Sequence, residues 1–397
     1  MKTRARVVGV GMVPFATPSR SGNYADLARD AVNAALADAG VAYSAIEQAY
    51  AGYVYGDSTS GQYALYGVGT TGIPVVNVNN NCSTGSTALW LARQAVEGGS
   101  AECVLALGFE QMQRGALAAH WQDRPEPLSE FLSLANAIRP FEKEAPMAAQ
   151  LFGGAGGEYA EKYGTEPSTF ARVAVKARQH AANNPYAVFR APVTVEEVMA
   201  APHVYSVLTR LQCCPPTCGA AAAVICTEAF ARKHRLRADI AIAAQELVTD
   251  PAATFDNRSL CDIVGYTMAR TAADRVYERS GVSPEDVKVV ELHDCFTTNE
   301  LLSYESLRLT PEGTAEKFVR DGDNTYGGRV VTNPSGGLLS KGHPLGATGL
   351  AQCAELVWQL RGQAQDRQVD GASVALQHNI GLGGAAVVTM YQKVDAK

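Results

Sequence analysis

Residues 73–97, IPVVNVNNNCSTGSTALWLARQAVE, contain the arrangement that decides the fold. The run at 73–78 is short and rich in valine and isoleucine, which predicts a buried strand. From 83 to 97 the apolar residues recur at helical spacing, which predicts an amphipathic helix. The loop between them carries Cys82, directly before the helix. A strand followed at once by a helix is the repeating unit of an α/β fold, and we predict that fold class.

The same alternation continues outward from this unit. Further strands are predicted at 6–10, 102–107, 220–226, 287–292 and 373–377, and further helices at 24–40 and 298–307. The stretch from about 115 to 211 differs, because it holds eight prolines and the run GGAGG at 153–157. Such a composition predicts short helices among loops, and therefore an inserted domain without a regular sheet.

A long-range repeat relates the two ends of the chain. A shift of 241 residues aligns 28–46 with 269–287, and a shift of 261 aligns 85–96 with 346–357. At the second shift Cys82 coincides with His343, and both lie in loops that open a helix. These matches predict a duplicated α/β unit. We expect an N-terminal half at 1–115, completed by 212–245, an inserted loop domain at 116–211 and a C-terminal half at 246–397.

Composition and charge argue against several classes of protein. The chain has 397 residues, 47% of them hydrophobic, with a net charge of −6 and no Lys- or Arg-rich run, so we expect neither disorder nor nucleic-acid binding. No run reaches the roughly 18 to 20 apolar residues of a membrane span, and Gly11 and Pro14 interrupt the apolar start that a signal peptide needs. Nine cysteines without a secretory signal predict free thiols and a cytoplasmic location.

Two residues have the surroundings of a nucleophile and its base. Cys82 precedes a helix, where unpaired N–H groups and the helix dipole favour a thiolate, so we expect its pKa to be lowered. The alternative is a buried structural cysteine. His343 lies in KGHPLGATG at the equivalent place of the repeat, where it could serve as the base of a thiol–imidazole pair. The alternative is a histidine that only caps its own helix.

Polar residues also follow two predicted strands of the second half. The sequence HDCF at 293–296 places His293 and Cys295 at a strand end, where α/β folds place their sites, while we expect Asp294 to cap the following helix. Glycines in HNIGLGG at 378–384 could present N–H donors to an oxyanion. The cysteines in CCPPTC at 213–218 suggest a metal, but they lack a second ligand pair at zinc spacing. We therefore predict no metal site and assign these and the remaining cysteines to the core.

Four motifs together resemble the thiolase superfamily. They are NNNCSTGSTAL at 79–89, HDCF at 293–296, SKGHPLGATG at 340–349 and HNIGLGG at 378–384. Within that superfamily they resemble the sterol carrier protein x (SCP2-type) thiolases, and the resemblance extends over essentially the whole chain. It implies the thiolase fold, a duplicated five-layer α-β-α-β-α core of two five-stranded sheets with an inserted loop domain. It also implies a homodimer or homotetramer, coenzyme A thioesters as substrates and no permanently bound cofactor.

The resemblance also implies a role for each motif. Cys82 is expected to become acylated, His343 to take its proton, and Cys295 to act as acid and base where other thiolases use a cysteine at the position of Asn379. His293 and His343 are expected to bind the thioester oxygen, and the N–H groups of Gly381 and Cys82 to form a second oxyanion hole. The whole 378–384 motif, with His378, Asn379 and Gly381, is expected to face the substrate.

The function that the resemblance implies is that of a 3-ketoacyl-CoA thiolase. Such an acyltransferase cleaves a 3-ketoacyl-CoA with free CoA to acyl-CoA plus acetyl-CoA or propionyl-CoA, as in β-oxidation of fatty acids and degradation of branched or sterol side chains. One alternative is a thiolase-like retro-aldolase that acts on steroid side-chain thioesters with a small OB-fold partner. Others are a non-catalytic lipid-binding protein, although we expect no sterol carrier domain because the chain ends at Lys397, and a decarboxylating ketoacyl synthase. The acyl chain and the direction of the reaction stay open.

Overall fold

The structure is a computed structural model that describes residues 4–113, 121 and 123–395. Its strands are β1 (Arg6–Met12), β2 (Gln48–Gly52), β3 (Val75–Val78), β4 (Cys103–Glu110), β5 (His203–Tyr205), β6 (Leu208–Thr209), β7 (Gly219–Cys226), β8 (Ile240–Val248), β9 (Val289–Glu291), β10 (Val331–Thr332), β11 (Val374–Gly381) and β12 (Ala385–Lys393). Its helices are α1 (Tyr24–Ala39), α2 (Ser60–Tyr66), α3 (Thr84–Glu97), α4 (Ser129–Ile138), α5 (Met147–Tyr163), α6 (Pro167–Ala181), α7 (Val195–Ala200), α8 (Glu228–His234), α9 (Ala253–Asp256), α10 (Leu260–Ile263), α11 (Tyr266–Ser280), α12 (Thr297–Ser306), α13 (Ala315–Arg320), α14 (Gly337–Ser340) and α15 (Leu345–Arg361).

Ten of these strands form one mixed sheet whose two halves have the same topology. The order is β3-β2-β4-β7-β1 in the N-terminal half and β10-β9-β11-β12-β8 in the C-terminal half. The pairing directions also match. In the N-terminal half β2 is parallel to β3 and β4, and β7 is antiparallel to β4 and β1. In the C-terminal half β9 is parallel to β10 and β11, and β12 is antiparallel to β11 and β8. The halves meet at the pairing of Arg6 with Ala241. The predicted duplication is confirmed.

Helices pack in three layers around the two halves of the sheet. The central layer is formed by α3 and α15, which contact each other and strands of the sheet on both sides. Outside the N-terminal half lies α1, and outside the C-terminal half lies α11. One hydrophobic core fills both sides of the central layer, and the two outer layers each have a core of their own. These are the five layers that the resemblance implies, although the pairing of β1 with β8 joins the two expected five-stranded sheets into one. The central layer brings the openings of α3 and α15 together.

The GGAGG run at 153–157 corrects one expectation. Instead of a loop it forms the middle of α5, a helix of 17 residues. Glycine costs a helix about 1 kcal/mol relative to alanine, so packing must favour it here. A Cβ on Gly156 would lie 2.1 Å from Cγ2 of Thr298, and one on Gly157 would lie 2.6 Å from Oγ of Ser206. The glycines therefore allow α5 to pack directly against α12 and the segment before β6.

The structure bears on two further expectations, the domain boundaries and the lack of a membrane span. The predicted boundary between residues 115 and 116 lies outside the described residues, and the other domain limits stay predictions. No helix in the described part of the chain is long and apolar enough to cross a membrane.

Candidate active site

The loop before α3 makes a sharp turn that presents Cys82. Asn81 adopts a left-handed conformation with φ of 50°, which asparagine tolerates better than most residues. The backbone N–H of Asn80 donates to Oγ1 of Thr84 at 2.9 Å, and the Asn81 side chain donates to the Leu382 carbonyl at 3.2 Å. The strand, cysteine and helix therefore follow one another as predicted, and the loop is tied to the turn after β11.

The loop before α15 is held in an equivalent way. Gly342 has a φ of 119°, which favours glycine, and the backbone N–H of His343 donates to Oγ1 of Thr217 at 2.6 Å. Pro216 forms an isolated parallel bridge with His343. The helix begins at Leu345, just after the Gly-His-Pro sequence. His343 therefore occupies in the second half the place that Cys82 occupies in the first.

Cys82, His293 and His343 converge on one site. The Cys82 sulfur and one ring nitrogen of each histidine all lie within 4.8 Å of one another. The two imidazole rings meet nearly at right angles, with centroids 5.2 Å apart. Cys82 reaches this point from α3, His343 from α15 and His293 from the end of β9. The Cys82 thiol itself donates to Oδ1 of Asn81 at 3.6 Å, so proton exchange with an imidazole requires a closer approach or one bridging water. A thiol and two imidazoles grouped in this way have the chemistry to bind one small oxyanion between them.

Hydrogen bonds behind His343 define which of its nitrogens is free. Nδ1 lies 2.8 Å from Oγ1 of Thr348, and that hydroxyl donates its proton to the Pro344 carbonyl at 2.9 Å. Since the hydroxyl has one hydrogen, its oxygen must accept from Nδ1–H of the imidazole. Nε2 then carries a lone pair, and it is buried without a hydrogen-bond partner. His343 thus keeps an unpartnered lone pair on Nε2 within the site.

His293 has the opposite tautomer. Its Nδ1 lies 2.8 Å from Nδ2 of Asn379, which can only donate, so Nδ1 accepts and the ring hydrogen is on Nε2. The side chain of Asn299 donates to the His293 carbonyl at 2.5 Å and fixes the backbone at this strand end. His293 is therefore a neutral donor beside His343, which is a neutral acceptor.

Burial sets the protonation states of the pair, and it corrects the expected acidity of Cys82. Burial raises the pKa of Cys82 to about 12, and the nearby Glu110 carboxylate adds to this. The loss of water around the thiol therefore outweighs the helix N-terminus, which had predicted a lowered pKa. Burial also lowers the pKa of His343 to about 3. At neutral pH the site holds a thiol and a neutral imidazole, and not a preformed thiolate–imidazolium pair.

Cys295 and Asp294 both follow β9, but the first is a protonated thiol and the second is a helix cap. Burial, followed by the neighbouring Cys214 and Cys82 thiols, raises the pKa of Cys295 well above its usual value, so Cys295 keeps its proton. Asp294 accepts hydrogen bonds from the N–H groups of Leu338 at 2.7 Å and Leu339 at 3.3 Å. It therefore caps α14, which leads to His343, and does not cap the following helix α12 as expected.

The cysteine-rich segment at 213–218 connects the HDCF and GHP loops. The backbone of Cys213 forms an isolated β-bridge with Phe296, and that of Pro216 forms one with His343. The backbone N–H of Cys214 donates to the Cys295 carbonyl at 2.9 Å. Among the described residues, the single group of His, Cys, Asp or Glu side chains close enough to share a metal is that of Cys82, and it includes none of these three cysteines. The segment holds the HDCF and GHP loops in register.

Three ionisable side chains that the motifs do not indicate support the site. Glu110, at the end of β4, accepts from the N–H groups of Val54, Tyr55 and Gly346 at 2.9 to 3.1 Å, and burial raises its pKa to about 7. The sequence feature that could have indicated Glu110 is a single acidic residue at the end of an otherwise apolar strand. Lys341 and Glu291 form a buried ion pair at 3.3 Å. Each lies two residues ahead of a site histidine, a spacing that could have indicated the pair.

The glycine-rich motif after β11 divides between two surfaces. A Cβ on Gly381 would lie 2.1 Å from the Asn80 carbonyl oxygen, so this glycine packs directly on the Cys82 loop. Asn379 contacts His293, as described above. Because side chains alternate along a strand, His378 points to the opposite face of β11 from Asn379. Leu376 and Ile380 lie on that same face and belong to the hydrophobic core beneath α11. Neither of its ring nitrogens has a partner, and its predicted contact with substrate stays a prediction.

Family models cover almost all of this architecture. The model described as thiolase, N-terminal domain matches residues 5–229, and the one described as thiolase C-terminal domain-like matches residues 253–392. The duplicated fold and the paired loops are thus those of the thiolases, and this chain belongs to the thiolase family.

Relatives narrow the place of the chain within that family. Sterol carrier protein 2 of Bos taurus is 54% identical over 99% of this chain and 73% of its own length. Non-specific lipid-transfer protein-like 2 of Caenorhabditis elegans is 43% identical over 98% of this chain and 96% of its own. Benzoylsuccinyl-CoA thiolase subunit BbsB of Thauera aromatica is 37% identical over 88% of this chain and 87% of its own. The predicted resemblance to the sterol carrier protein type is confirmed.

Solved structures share the fold at lower identity. A structure described as Ltp2-ChsH2(DUF35) aldolase superimposes with a TM-score of 0.82 at 24% identity, over 98% of both chains. Human mitochondrial 3-ketoacyl-CoA thiolase superimposes with a TM-score of 0.73 at 20% identity, over 99% of both chains. The thiolase fold predicted from the sequence is confirmed.

Proposed function

We propose that this protein is a 3-ketoacyl-CoA thiolase that works by ping-pong acyl transfer through Cys82. The observation that carries the proposal is the group of Cys82, His293 and His343, whose sulfur and ring nitrogens lie within 4.8 Å of one another. The hydrogen bonds of the two Nδ1 atoms leave a lone pair on Nε2 of His343 and a hydrogen on Nε2 of His293. An acyl transfer needs a nucleophile, a base and an oxyanion donor, and these three residues supply one each.

In the first half-reaction Nε2 of His343 takes the proton of the Cys82 thiol. The sulfur attacks the 3-keto carbon, and the Cα–Cβ bond breaks to leave an acyl group on Cys82 and an enolate of the shorter thioester. Nε2–H of His293 donates to the enolate oxygen as it becomes negative, and protonated His343 assists. The Cys295 thiol gives its proton to the enolate carbon, so acetyl-CoA or propionyl-CoA leaves and Cys295 becomes a thiolate.

In the second half-reaction the Cys295 thiolate takes the proton of free CoA. The CoA sulfur attacks the acyl group on Cys82, and the N–H groups of Gly381 and Cys82 stabilise the tetrahedral oxyanion. Cys82 leaves as a thiolate and recovers its proton from His343. Protons and charges balance over the cycle, and no metal or other cofactor takes part. Coenzyme A is a substrate.

The substrate class follows the relatives. The sterol carrier protein type supports a branched or sterol-derived 3-ketoacyl-CoA, hence a role in β-oxidation and sterol side-chain degradation. The cytoplasmic location stays a prediction, and the nine free cysteines support a reducing compartment.

A homodimer or homotetramer is part of the proposal. At the edge of the N-terminal half lies β3, and beside it Tyr63, Tyr66 and Val76 expose 62%, 61% and 47% of their surfaces. An edge strand with exposed apolar side chains is suited to pair with a second copy. Sedimentation equilibrium should give a mass of at least twice 42.0 kDa.

The decisive test is the acyl-enzyme. Wild type is incubated with straight, 2-methyl-branched and sterol-derived 3-ketoacyl-CoAs without CoA, and intact mass is measured. We expect one acyl group per chain on Cys82 and its release by CoA; Cys82→Ala should form none, while Cys353→Ala in the core should behave as wild type. Thiolysis by Cys82→Ala would refute the proposal. Cleavage without any adduct would favour the retro-aldolase, and lipid binding without cleavage would favour a carrier.

A further inference from the structure

We infer that Gln377 and Ser86 are positioning residues that hold His293 as a hydrogen-bond donor through Asn379. The orientation of hydrogen bonds is a property of the resting protein, whereas its effect on turnover rests on the proposed thiolase function. Neither residue is expected to touch substrate. They lie where β11 meets the opening of α3, in the layer between the two halves of the fold.

The direction of the chain of hydrogen bonds is set at Gln377. Its Nε2 lies 2.6 Å from the carbonyl oxygen of Gly349, which can only accept, so the amide nitrogen must face α15 and α3. The same Nε2 donates to Oγ of Ser86 at 2.9 Å. On the other side Oε1 of Gln377 accepts from the hydroxyl of Tyr391 at 2.5 Å. Turning the amide over would place an oxygen against the Gly349 carbonyl, so this orientation is strongly preferred.

Ser86 passes that direction to Asn379. Because Oγ of Ser86 receives an N–H from Gln377, its own hydrogen is free for Oδ1 of Asn379, at 3.1 Å. Asn379 must then point its Nδ2 at Nδ1 of His293, at 2.8 Å. If the Asn379 amide turned over, its oxygen would face Nδ1 and require the hydrogen there. Nε2 of His293 would become an acceptor, and the thioester oxygen would lose its donor.

Bulk solvent does not reach this relay. Gln377, Ser86 and Asn379 have no exposed surface, and His293 exposes 1%. The two helices also approach closely here, since a Cβ on Gly349 would lie 2.2 Å from Oγ of Ser86. In such surroundings each donor needs its designated acceptor, so one missing hydroxyl alters the orientation of the whole relay.

The test removes that hydroxyl and measures the tautomer directly. Wild type, Ser86→Ala and the control Ser306→Ala, a buried serine of α12 outside the relay, are labelled with [15N]histidine. Two-bond proton–nitrogen spectra of the seven histidines report the tautomers, with His293 assigned by its loss in His293→Gln. We expect His293 to carry its hydrogen on Nε2 in wild type and control, and to lose that single state in Ser86→Ala.

Kinetics supply the second measurement. For Ser86→Ala we expect kcat to fall about ten- to a hundredfold, with KM changed less than twofold, because the donor acts mainly on the developing enolate. Asn379→Leu, which removes the donor to Nδ1, sets the upper limit of the loss. An unchanged His293 tautomer and unchanged kcat in Ser86→Ala would overturn the inference. If wild type lacked thiolase activity, the proposed function would fail, while the spectra would still decide the relay.

Discussion

His293 and His343 meet at nearly a right angle with ring centroids 5.2 Å apart, and the hydrogen bonds behind them give their Nε2 atoms opposite capacities. Asn379 makes His293 a donor, and Thr348 makes His343 an acceptor. Both rings stay neutral because burial lowers both pKa values. The site therefore holds a neutral acceptor and a neutral donor side by side without mutual charge repulsion, as the proposed roles of base and oxyanion donor require.

The first prediction concerns the pH dependence of acylation. A base with the ordinary histidine pKa would make kcat/KM fall about tenfold per pH unit below about 6.5. Because burial lowers the pKa of His343 to about 3, we expect no such fall between pH 8 and pH 5. Stopped-flow acylation rates, corrected for the folded fraction by circular dichroism, are the measurement. A tenfold loss per unit beginning near pH 6.5 would contradict this assignment.

The second prediction separates the two half-reactions at Cys295. Cys295→Ser should still form the acyl-enzyme but turn over slowly, by at least about a hundredfold, because a serine hydroxyl is a much weaker acid and base than a thiol. Single-turnover mass spectrometry measures acylation, and steady-state release of acyl-CoA measures turnover. Cys103→Ser, buried in the N-terminal core, controls for thiol loss elsewhere. Normal turnover in Cys295→Ser would assign the acid to another residue.

The third prediction concerns the close approach of the β11 turn to the Cys82 loop. In Gly381→Ala the new methyl group would lie 2.1 Å from the Asn80 carbonyl oxygen, so the loop must shift. A displacement of about 1 Å at a nucleophile can cost about a hundredfold in rate, and we expect a loss of that order in acylation. Gly22→Ala, which meets open space, should keep full activity. Equal acylation rates in the two variants would rule out this packing role.

The sequence predicted those parts of the fold whose signals are local or repeated. The shift of 241 residues correctly related α1 to α11, and the shift of 261 related α3 to α15, because each helix keeps its own apolar spacing and its own Gly stop or loop. The duplication in turn placed Cys82 and His343 at equivalent helix openings. His293 was predicted at the end of another strand, the edge where α/β folds place their sites.

The features that escaped prediction depend on partners distant in sequence. The glycines of α5 meet distant side chains, such as Thr298 at Gly156 and Ser206 at Gly157, and Asp294 caps α14 because that helix folds back over the end of β9. The pKa of Cys82 is raised because surrounding elements exclude water, an effect that the helix opening alone does not reveal. Each error came from a local rule that tertiary packing outweighed.

The fourth prediction tests the buried ion pair of Lys341 and Glu291. Lys341→Met leaves the Glu291 carboxylate without its cation, which should cost about 3 to 5 kcal/mol of unfolding free energy. Adding Glu291→Gln should recover much of this loss, since the buried charge is gone. Urea unfolding of the single and double variants measures both values. Equal destabilisation in the two would show that the charge is not what matters.

The last prediction concerns stability in acid. Burial lowers the pKa of four histidines below the usual 6.5. The pKa falls to about 3 for His180, His343 and His378, and that of His293 is also well below its usual value. Below pH 6.5 the unfolded chain therefore binds protons that the folded chain refuses, so the unfolding free energy must fall with pH, by about 1.4 kcal/mol per unit for each histidine. Glu110 and Asp294 act oppositely, because burial raises their pKa values to about 7 and about 8, and the folded protein holds those protons.

His378→Leu isolates one of these contributions, because neither ring nitrogen of His378 has a hydrogen bond to lose. Above pH 6.5 the histidine is neutral in both states, so its pH-dependent cost is absent there. Between pH 6.5 and pH 5 that cost grows to about 2 kcal/mol in wild type and is missing in the variant. The difference in unfolding free energy, variant minus wild type, should therefore rise by about 2 kcal/mol from pH 8 to pH 5 in urea titrations. A difference that stays constant with pH would mean that His378 takes up its proton in the folded protein, which its buried surroundings should prevent.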